Sequence, residues 1–175
     1  MLNLRYYGDP ILRKKADPIA NFDESLHELV YSMIEIMREH DGVGLAAPQI
    51  GRSVRCVLVD PSKEGAKPWV LINPEFTFKS KGTEVREEGC LSFPDVHLDI
   101  VRHKAVSVKA FDENGQEYTI ENAQDIIARA IQHEIDHIDG LFIIDHISLL
   151  KRKLLANKLK KISELNFSET DHSET

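Results

Sequence analysis

The chain has 175 residues, of which 42% are apolar and 29% charged, a composition typical of one globular domain. Its net charge of −7, from 22 basic and 29 acidic residues, argues against binding of the whole protein to nucleic acid or to an anionic membrane. No apolar run approaches the ~20 residues of a membrane span, so we expect no membrane partner. Because of the negative net charge, we also expect no specific DNA binding. The N-terminus has the features of neither a signal nor a transit peptide, and we expect a cytoplasmic protein.

The first third of the sequence predicts turns, a helix and a tight loop. Asp-Pro pairs at 9–10 and 17–18 indicate turns. Apolar side chains at three- and four-residue spacing predict a helix over 24–40, with Asp23 as its N-cap. Three glycines and a proline within 42–51 are unsuited to a regular helix or strand, so they predict a loop whose backbone lies close to another group.

The middle of the sequence predicts β-structure. Residues 54–59 and 69–72 are apolar runs typical of buried strands. Further on, 106–111 alternates between apolar and polar residues, Asn114-Gly115 favours a tight turn, and 118–120 alternates again. This order predicts a β-hairpin.

The last third predicts helices. A broad apolar face over 123–138 predicts a second helix, which ends at Gly140, and a third helix is expected over 148–165. The fold class is therefore α+β. We expect one domain over 1–165 and a polar, disordered tail over 166–175.

The segment His133-Glu134-Ile135-Asp136-His137 lies on the second predicted helix. Two histidines four residues apart lie on one helix face, so both can bind one metal ion. Glu134 is placed to exchange a proton with a water molecule there. Two surface histidines are the plain alternative, but neighbouring isoleucines indicate a packed helix: Ile131, Ile135 and Ile138.

Such a site needs a third ligand. The position of the third histidine of a metzincin is Ile143, and the first glutamate after the motif, Glu164, lies in a basic helix. His146 is one candidate. Cys90 is a better one, because glycine, turn formers and acidic residues surround it and it is expected to lie outside a strand. Cys56, within an apolar strand, is predicted to be a buried apolar residue.

Three segments in this order resemble the three motifs of the peptide deformylases: Gly42–Gln49, Glu88–Ser92 and His133–His137. The segment Gly8–Arg13 also resembles the N-terminal part of that family, and the resemblance covers about residues 5 to 162. It implies hydrolysis of the formyl group from nascent polypeptides that begin with formyl-methionine. It also implies mixed, mostly antiparallel sheets packed around a central metal-binding helix, with a C-terminal helix.

The resemblance further implies roles for individual residues. One divalent metal ion would be held by Cys90, His133 and His137. Glu134 would be the general acid and base, and the oxyanion would be stabilised by Gln49 and the backbone N–H of Leu91. The implied physiological metal is Fe²⁺, with Zn²⁺, Ni²⁺ or Co²⁺ as alternatives in purified protein. Two glycines, Gly44 and Gly89, would contact the substrate.

The methionine side chain requires an apolar pocket. Val43, Ile126 and Ala130 are candidates, with plain core packing as an equal alternative for each. Ala130 is smaller than the resemblance leads us to expect, which leaves the depth of the pocket open. Arg102 is expected either to meet the substrate or to be an ordinary surface arginine.

The helix predicted over Ser148–Ile162 is basic. Six cations and no acidic residue lie between Lys151 and Lys161, and leucines give the helix an apolar side that can pack on the domain. A solvated terminal helix is the plain interpretation. With the resemblance, a contact with ribosomal RNA near the exit tunnel is the functional one.

Two other functions remain open on the sequence. A metalloprotease with a cysteine ligand would explain the histidine motif, although it lacks the usual third ligand. A metal-bearing protein that binds peptide N-termini without cleaving them would not need Glu134. A bacterial cytoplasm is the expected location, and a trimmed organellar protein would have the same sequence features.

Overall fold

Seven strands and three α-helices surround a fourth, buried α-helix in the computed structural model, which describes residues 2–61 and 67–168. The strands are β1 Gly44–Ala46, β2 Cys56–Val59, β3 Trp69–Lys79, β4 Thr83–Cys90, β5 Phe93–His103, β6 Ala105–Phe111 and β7 Glu117–Gln124. The α-helices are α1 Glu24–Glu39, α2 Asp125–Ile138, α3 Leu149–Leu154 and α4 Ala156–Ser168.

The strands form two antiparallel sheets. The larger sheet has the order β1-β2-β3-β6-β7, and β4 and β5 form a separate two-stranded sheet. The α+β class and the mostly antiparallel sheets that the resemblance implies are confirmed. The predicted hairpin is the pair β6–β7, and Gly115 has the positive φ of +78° that its tight turn requires.

The helix α2 lies between the two sheets. Its apolar stripe packs on β1, β2, β6 and β7 of the larger sheet, and it consists of Ala128, Ile131, Ile135 and Ile138. Burying one such isoleucine contributes about 1.5–3 kcal/mol, so this stripe fixes the rotation of the helix about its axis. His133 and His137 then lie away from the larger sheet, toward the β4–β5 hairpin.

The predicted helix boundaries are close to the observed ones. Asp23 caps α1 through its side chain, which accepts a hydrogen bond from the backbone N–H of Leu26 at 3.3 Å. The helix α2 begins at Asp125 rather than at residue 123, because Ala123 and Gln124 still pair with β6.

Two segments around the site differ from the prediction. The expected loop contains the strand β1, because Gly44–Ala46 pairs with β2, and a 3₁₀ turn follows at Ala47–Ile50. The hairpin β4–β5 was missed, and Cys90 is the last residue of β4 rather than outside a strand. The hairpin sequence is acidic, and much of one face is exposed, so it lacks the apolar alternation of a typical strand.

The C-terminal helix also differs from the prediction. A break at Leu155 divides it into α3 and α4. The predicted apolar side is wrong for α3, where Leu149, Leu150 and Leu154 are exposed. In α4, by contrast, Leu159 is buried.

The predicted domain boundary at residue 165 falls inside α4, which continues to Ser168. Asn166 holds this last turn on the N-terminal segment, since its Oδ1 accepts a hydrogen bond from the backbone N–H of Tyr6 at 2.9 Å. The remainder of the predicted tail, 169–175, lies outside the described residues. Within the described residues, none of the helices combines the length and hydropathy that a bilayer crossing requires.

We expect Gly140→Ala to destabilise the fold by about 1–3 kcal/mol, because Gly140 has a φ of +76° and an added Cβ would lie 2.5 Å from the carbonyl oxygen of Arg13. Urea unfolding provides the measurement. The matched control is Gly82→Ala, whose Cβ would meet only Lys104 Cδ at 3.6 Å, and it should change stability by less than about 0.5 kcal/mol. Equal stability of the two variants would contradict this account of the end of α2.

Candidate metal centre and substrate cavity

Three metal-binding atoms come together between β4 and α2. The Sγ atom of Cys90 lies 3.2 Å from Nε2 of His137, and that Nε2 lies 3.3 Å from Nε2 of His133. All three donor atoms lie within 4.8 Å of one another. A tetrahedral ion with bonds of about 2.0–2.1 Å to nitrogen and 2.3 Å to sulfur places such donors about 3.3–3.6 Å apart. The donor set therefore fits one divalent metal ion.

His146, the other candidate ligand, lies outside this cluster. Its Nε2 is 2.7 Å from Oδ2 of Asp136. Cys56 is fully buried in β2, as predicted, and burial raises the pKa of its thiol to about 12. Within the part of the chain that the structure describes, Cys90 is the one cysteine that lies close to other possible metal ligands.

Glu88 orients one of the two histidines. Its Oε2 lies 3.0 Å from Nδ1 of His133, so Nδ1 carries the proton and Nε2 is left to bind the metal ion. Burial alone would raise the pKa of Glu88, but hydrogen bonds from His133 and Arg102 outweigh burial and hold that pKa well below its usual range. From the sequence, Glu88 was identified only as part of a motif, without a role of its own.

Arg102 is buried and is not among the residues that line the cavity described below, so the expectation of an ordinary surface arginine is wrong. It is 5% exposed, and its Nε and Nη2 donate to the two carboxylate oxygens of Glu88 at 2.9 and 3.0 Å. Its Nη1 also donates to Asp136. The alternation of β5 directs Arg102 inward, where the carboxylate of Glu88 is the ion-pair partner that a buried arginine requires.

Glu134 lies at the cavity wall, 4% exposed, and its Oε2 has no hydrogen-bond partner among the described residues. Burial raises the pKa of its carboxyl group to about 7. Gly44 packs directly against it: a Cβ at this position would lie 2.5 Å from Oε1 of Glu134. The glycine of β1 thus leaves the space that the carboxylate occupies.

The amide of Gln49 is held in one orientation. Its Oε1 accepts a hydrogen bond from the backbone N–H of Ala46 at 2.8 Å, which identifies the oxygen. Its Nε2 therefore faces the site, 3.2 Å from Oγ of Ser92 and 3.7 Å from Sγ of Cys90. A fully buried amide donor is thus directed at the candidate metal centre.

A cavity of about 700 Å³ opens beside these groups. It is lined by nearly all of the residues expected to touch metal or substrate: Val43, Gly44, Gln49, Gly89, Cys90, Leu91, Ile126, Ala130, His133 and Glu134. Ile126 is 51% exposed and so lies at the rim, not in the core, whereas Ala130 lines the cavity and also packs in the core. Leu4 and Tyr6 form an N-terminal wall of the cavity that was not predicted, because no local sequence pattern marks it.

A cysteine-histidine-histidine donor set with a buried glutamate beside it is typical of metal-dependent hydrolases. The model of the polypeptide deformylase family matches residues 1–153. A peptide deformylase from Thermotoga maritima is 47% identical over 163 residues, which is 93% of this chain and 97% of the relative. A relative from Thermodesulfovibrio yellowstonii is 46% identical over 162 residues, 91% of this chain and 97% of the relative.

Solved structures of peptide deformylases also have a fold similar to that of this chain. The crystal structure of the Thermotoga maritima peptide deformylase has a TM-score of 0.79 at 46% identity and covers 85% of this chain and 98% of that one. A peptide deformylase from Legionella pneumophila has a TM-score of 0.88 at 40% identity, over 95% and 97% of the two chains. The chain belongs to the polypeptide deformylase family, whose members are hydrolases that remove N-terminal formyl groups from nascent peptides with a single metal ion.

We expect Gly44→Ala to lower kcat/KM for formate release by about 10²-fold, because the added methyl group displaces the carboxylate of Glu134. Metal content, measured by atomic emission, should stay at the wild-type level, since no ligand is moved. Gly82→Ala is the control and should keep full activity. Wild-type kcat/KM in Gly44→Ala would show that the position of Glu134 is not limiting.

Proposed function

We propose that this chain hydrolyses the formamide of formyl-methionyl nascent peptides with one ion held by Cys90, His133 and His137. The observation that carries the proposal is the convergence of these donors with two further buried groups, Glu134 and the amide of Gln49, on one cavity. We further propose that residues 1–165 act as a single catalytic domain in a bacterial cytoplasm; a bacterial relative matches this chain over 97% of its own length, which supports the single domain.

Amide hydrolysis at neutral pH needs an activated water molecule and a proton for the leaving amine. A divalent ion bound to this donor set supplies Lewis acidity that lowers the pKa of water toward about 7. Glu134 takes the proton of the attacking water and passes it to the amine nitrogen. Its burial and its Oε2, which has no hydrogen-bond partner among the described residues, support this role, because such an oxygen is free to exchange a proton.

Two donors stabilise the oxyanion that develops on the formyl oxygen. Gln49 offers Nε2, which its hydrogen bond with Ala46 keeps directed toward the site. The backbone N–H of Leu91, in the turn after Cys90, is the second donor. Removal of one such donor typically costs about 10²–10³ in rate.

The cavity binds the peptide and its first side chain. Gly44 and Gly89 let the substrate backbone approach β1 and β4 in an extended conformation. Val43, Ile126 and Ala130 receive the methionine side chain, with the small Ala130 widening the pocket next to His133.

We infer that Fe²⁺ is the physiological ion and that Zn²⁺, Ni²⁺ or Co²⁺ can replace it in purified protein. One thiolate and two imidazoles accept all four ions, and the affinity order alone does not select iron. The choice of Fe²⁺ rests on the family, whose resemblance implies iron as the physiological metal. An iron–thiolate site is sensitive to oxygen because the thiolate can be oxidised, and Cys90 is not fully buried.

We expect Glu134→Gln to lower formate release from a formyl-Met dipeptide by about 10²–10⁴-fold, because the amide cannot accept the proton of water. The assay uses anaerobic protein reconstituted with Fe²⁺, and Glu164→Gln, on the exposed side of α4, is the control. Peptide affinity, measured by calorimetry, should be retained. Unchanged release in Glu134→Gln would exclude this residue as the base, and no release by the wild type would overturn the proposed function.

We infer that the ribosome is contacted through the basic segment Ser148–Ile162. Its exposed cations are Lys158, which donates to the carbonyl oxygen of Asp95, and four further lysines: Lys151, Lys153, Lys160 and Lys161. Leu149, Leu150 and Leu154 are exposed beside them. A cationic surface on a chain of net charge −7 supports a contact with phosphate groups of ribosomal RNA.

Reversal of Lys151, Lys153, Lys160 and Lys161 to glutamate is expected to abolish co-sedimentation with ribosomes at about 100 mM salt while leaving dipeptide hydrolysis unchanged. The matched control reverses four exposed lysines elsewhere: Lys14, Lys15, Lys81 and Lys104. Equal loss in both quadruple variants would indicate a net-charge effect rather than a contact surface.

A further inference from the structure

Arg129 is a buried cation that lies outside the three motifs. It precedes His133 by one helical turn on the same face of α2 and is 4% exposed. An arginine is rarely so deeply buried without a fixed set of partners. Its partners therefore indicate what it does.

One guanidinium group joins α2 to both strands of the hairpin. Nη1 of Arg129 donates to Oε1 of Glu88 at 2.7 Å and to the carbonyl oxygen of Ile100, on β5, at 3.0 Å. Nη2 donates to the carbonyl oxygen of Glu84, on β4, at 3.2 Å. Lysine, with a single nitrogen, cannot reproduce three bonds in this fork.

These bonds and α2 form a closed ring beside the candidate metal centre. Arg129 and His133 both lie on α2, and both bind Glu88, one through Oε1 and the other through Oε2. Cys90 follows Glu88 by two residues on β4, so the same attachment sets where the thiolate lies relative to the imidazoles.

We propose that Arg129 is a positioning residue for the metal centre. By holding Glu88, it keeps the Nδ1–H bond of His133 in place and keeps the end of β4 at the distance that the donor set requires. This inference rests on the proposed function, since it treats Cys90 and His133 as ligands. Arg129 itself does not bind the metal ion, because its charge repels a cation.

The buried charges support this role. Two acids and two arginines form one contact network: Glu88, Asp136, Arg102 and Arg129. Removal of one arginine leaves Glu88 with a single guanidinium partner, and a buried charge that loses a partner shifts or draws in water. The ring of His133 then loses its fixed acceptor, whereas its backbone stays in the helix.

The test compares Arg129→Met and Arg129→Lys with Arg55→Met. Arg55 also attaches α2, through a 2.7 Å bond to Asp139 at the helix end, but has no contact with Glu88 or a donor residue. Cobalt affinity is measured by chelator competition, the visible Co²⁺ spectrum reports ligand geometry, and proton NMR of the metal-free protein reports the Nδ1–H of His133.

Arg129→Met is expected to bind Co²⁺ about 10–100-fold more weakly, with a shifted visible spectrum and loss of the slowly exchanging Nδ1–H resonance. Arg129→Lys should lie between it and the wild type, and this variant decides the question if the methionine variant does not fold. Arg55→Met should lose stability but keep the wild-type affinity and spectrum. Wild-type affinity and spectrum in the folded Arg129 variants, or the same loss in Arg55→Met, would overturn the proposal.

Failure of the proposed function and failure of the role of Arg129 give different results. A wild-type protein that binds Co²⁺ with a cysteine-ligated spectrum but releases no formate would refute the reaction and leave the role of Arg129 intact. A wild type that releases formate, together with Arg129 variants of unchanged metal affinity, would refute only the role of Arg129.

Discussion

The carboxylate of Glu88 is the point at which the hairpin that carries Cys90 meets the helix that carries both histidines. It accepts hydrogen bonds from Arg102, Arg129 and His133, and all four residues are buried. Leaving such a carboxylate without partners costs several kcal/mol, so the two elements can approach only in the arrangement that satisfies it. Hydrophobic packing brings α2 between the sheets, but this polar attachment sets the donor atoms at their observed distances.

One face of α2 stabilises the fold, and another carries groups of the candidate site. The isoleucine stripe packs on the larger sheet, and because His133 and Glu134 lie off that stripe, the same packing directs them to the cavity. Gly44 then completes the site from β1, since only a glycine leaves room for the carboxylate of Glu134. Hence His133 and Glu134 are held on a helix that is packed against the larger sheet, as a preorganised hydrolytic site requires.

Local patterns predicted much of this structure. The capped helix α1, the hairpin β6–β7 and the three metal-binding residues each leave a signature within a few neighbouring positions. The hairpin β4–β5 does not, because the buried acid of β4, Glu88, is paired with Arg102 on the neighbouring strand and with Arg129 on α2, and neither pairing is visible as a local pattern. The same limit explains the error at Leu149, whose periodic spacing fits a buried helix face although no element covers it in the described structure. Sequence periodicity indicates which residues share a face, but only tertiary pairing decides what that face meets.

X-ray absorption spectroscopy of the Zn²⁺-loaded protein tests the central claim most directly, namely that Cys90, His133 and His137 form one metal site. The account predicts one sulfur neighbour at about 2.3 Å and two imidazole nitrogens at about 2.0–2.1 Å. In Cys90→Ser the sulfur shell should disappear while the imidazole signal remains. A wild-type spectrum without sulfur, or one that Cys90→Ser leaves unchanged, would contradict the account.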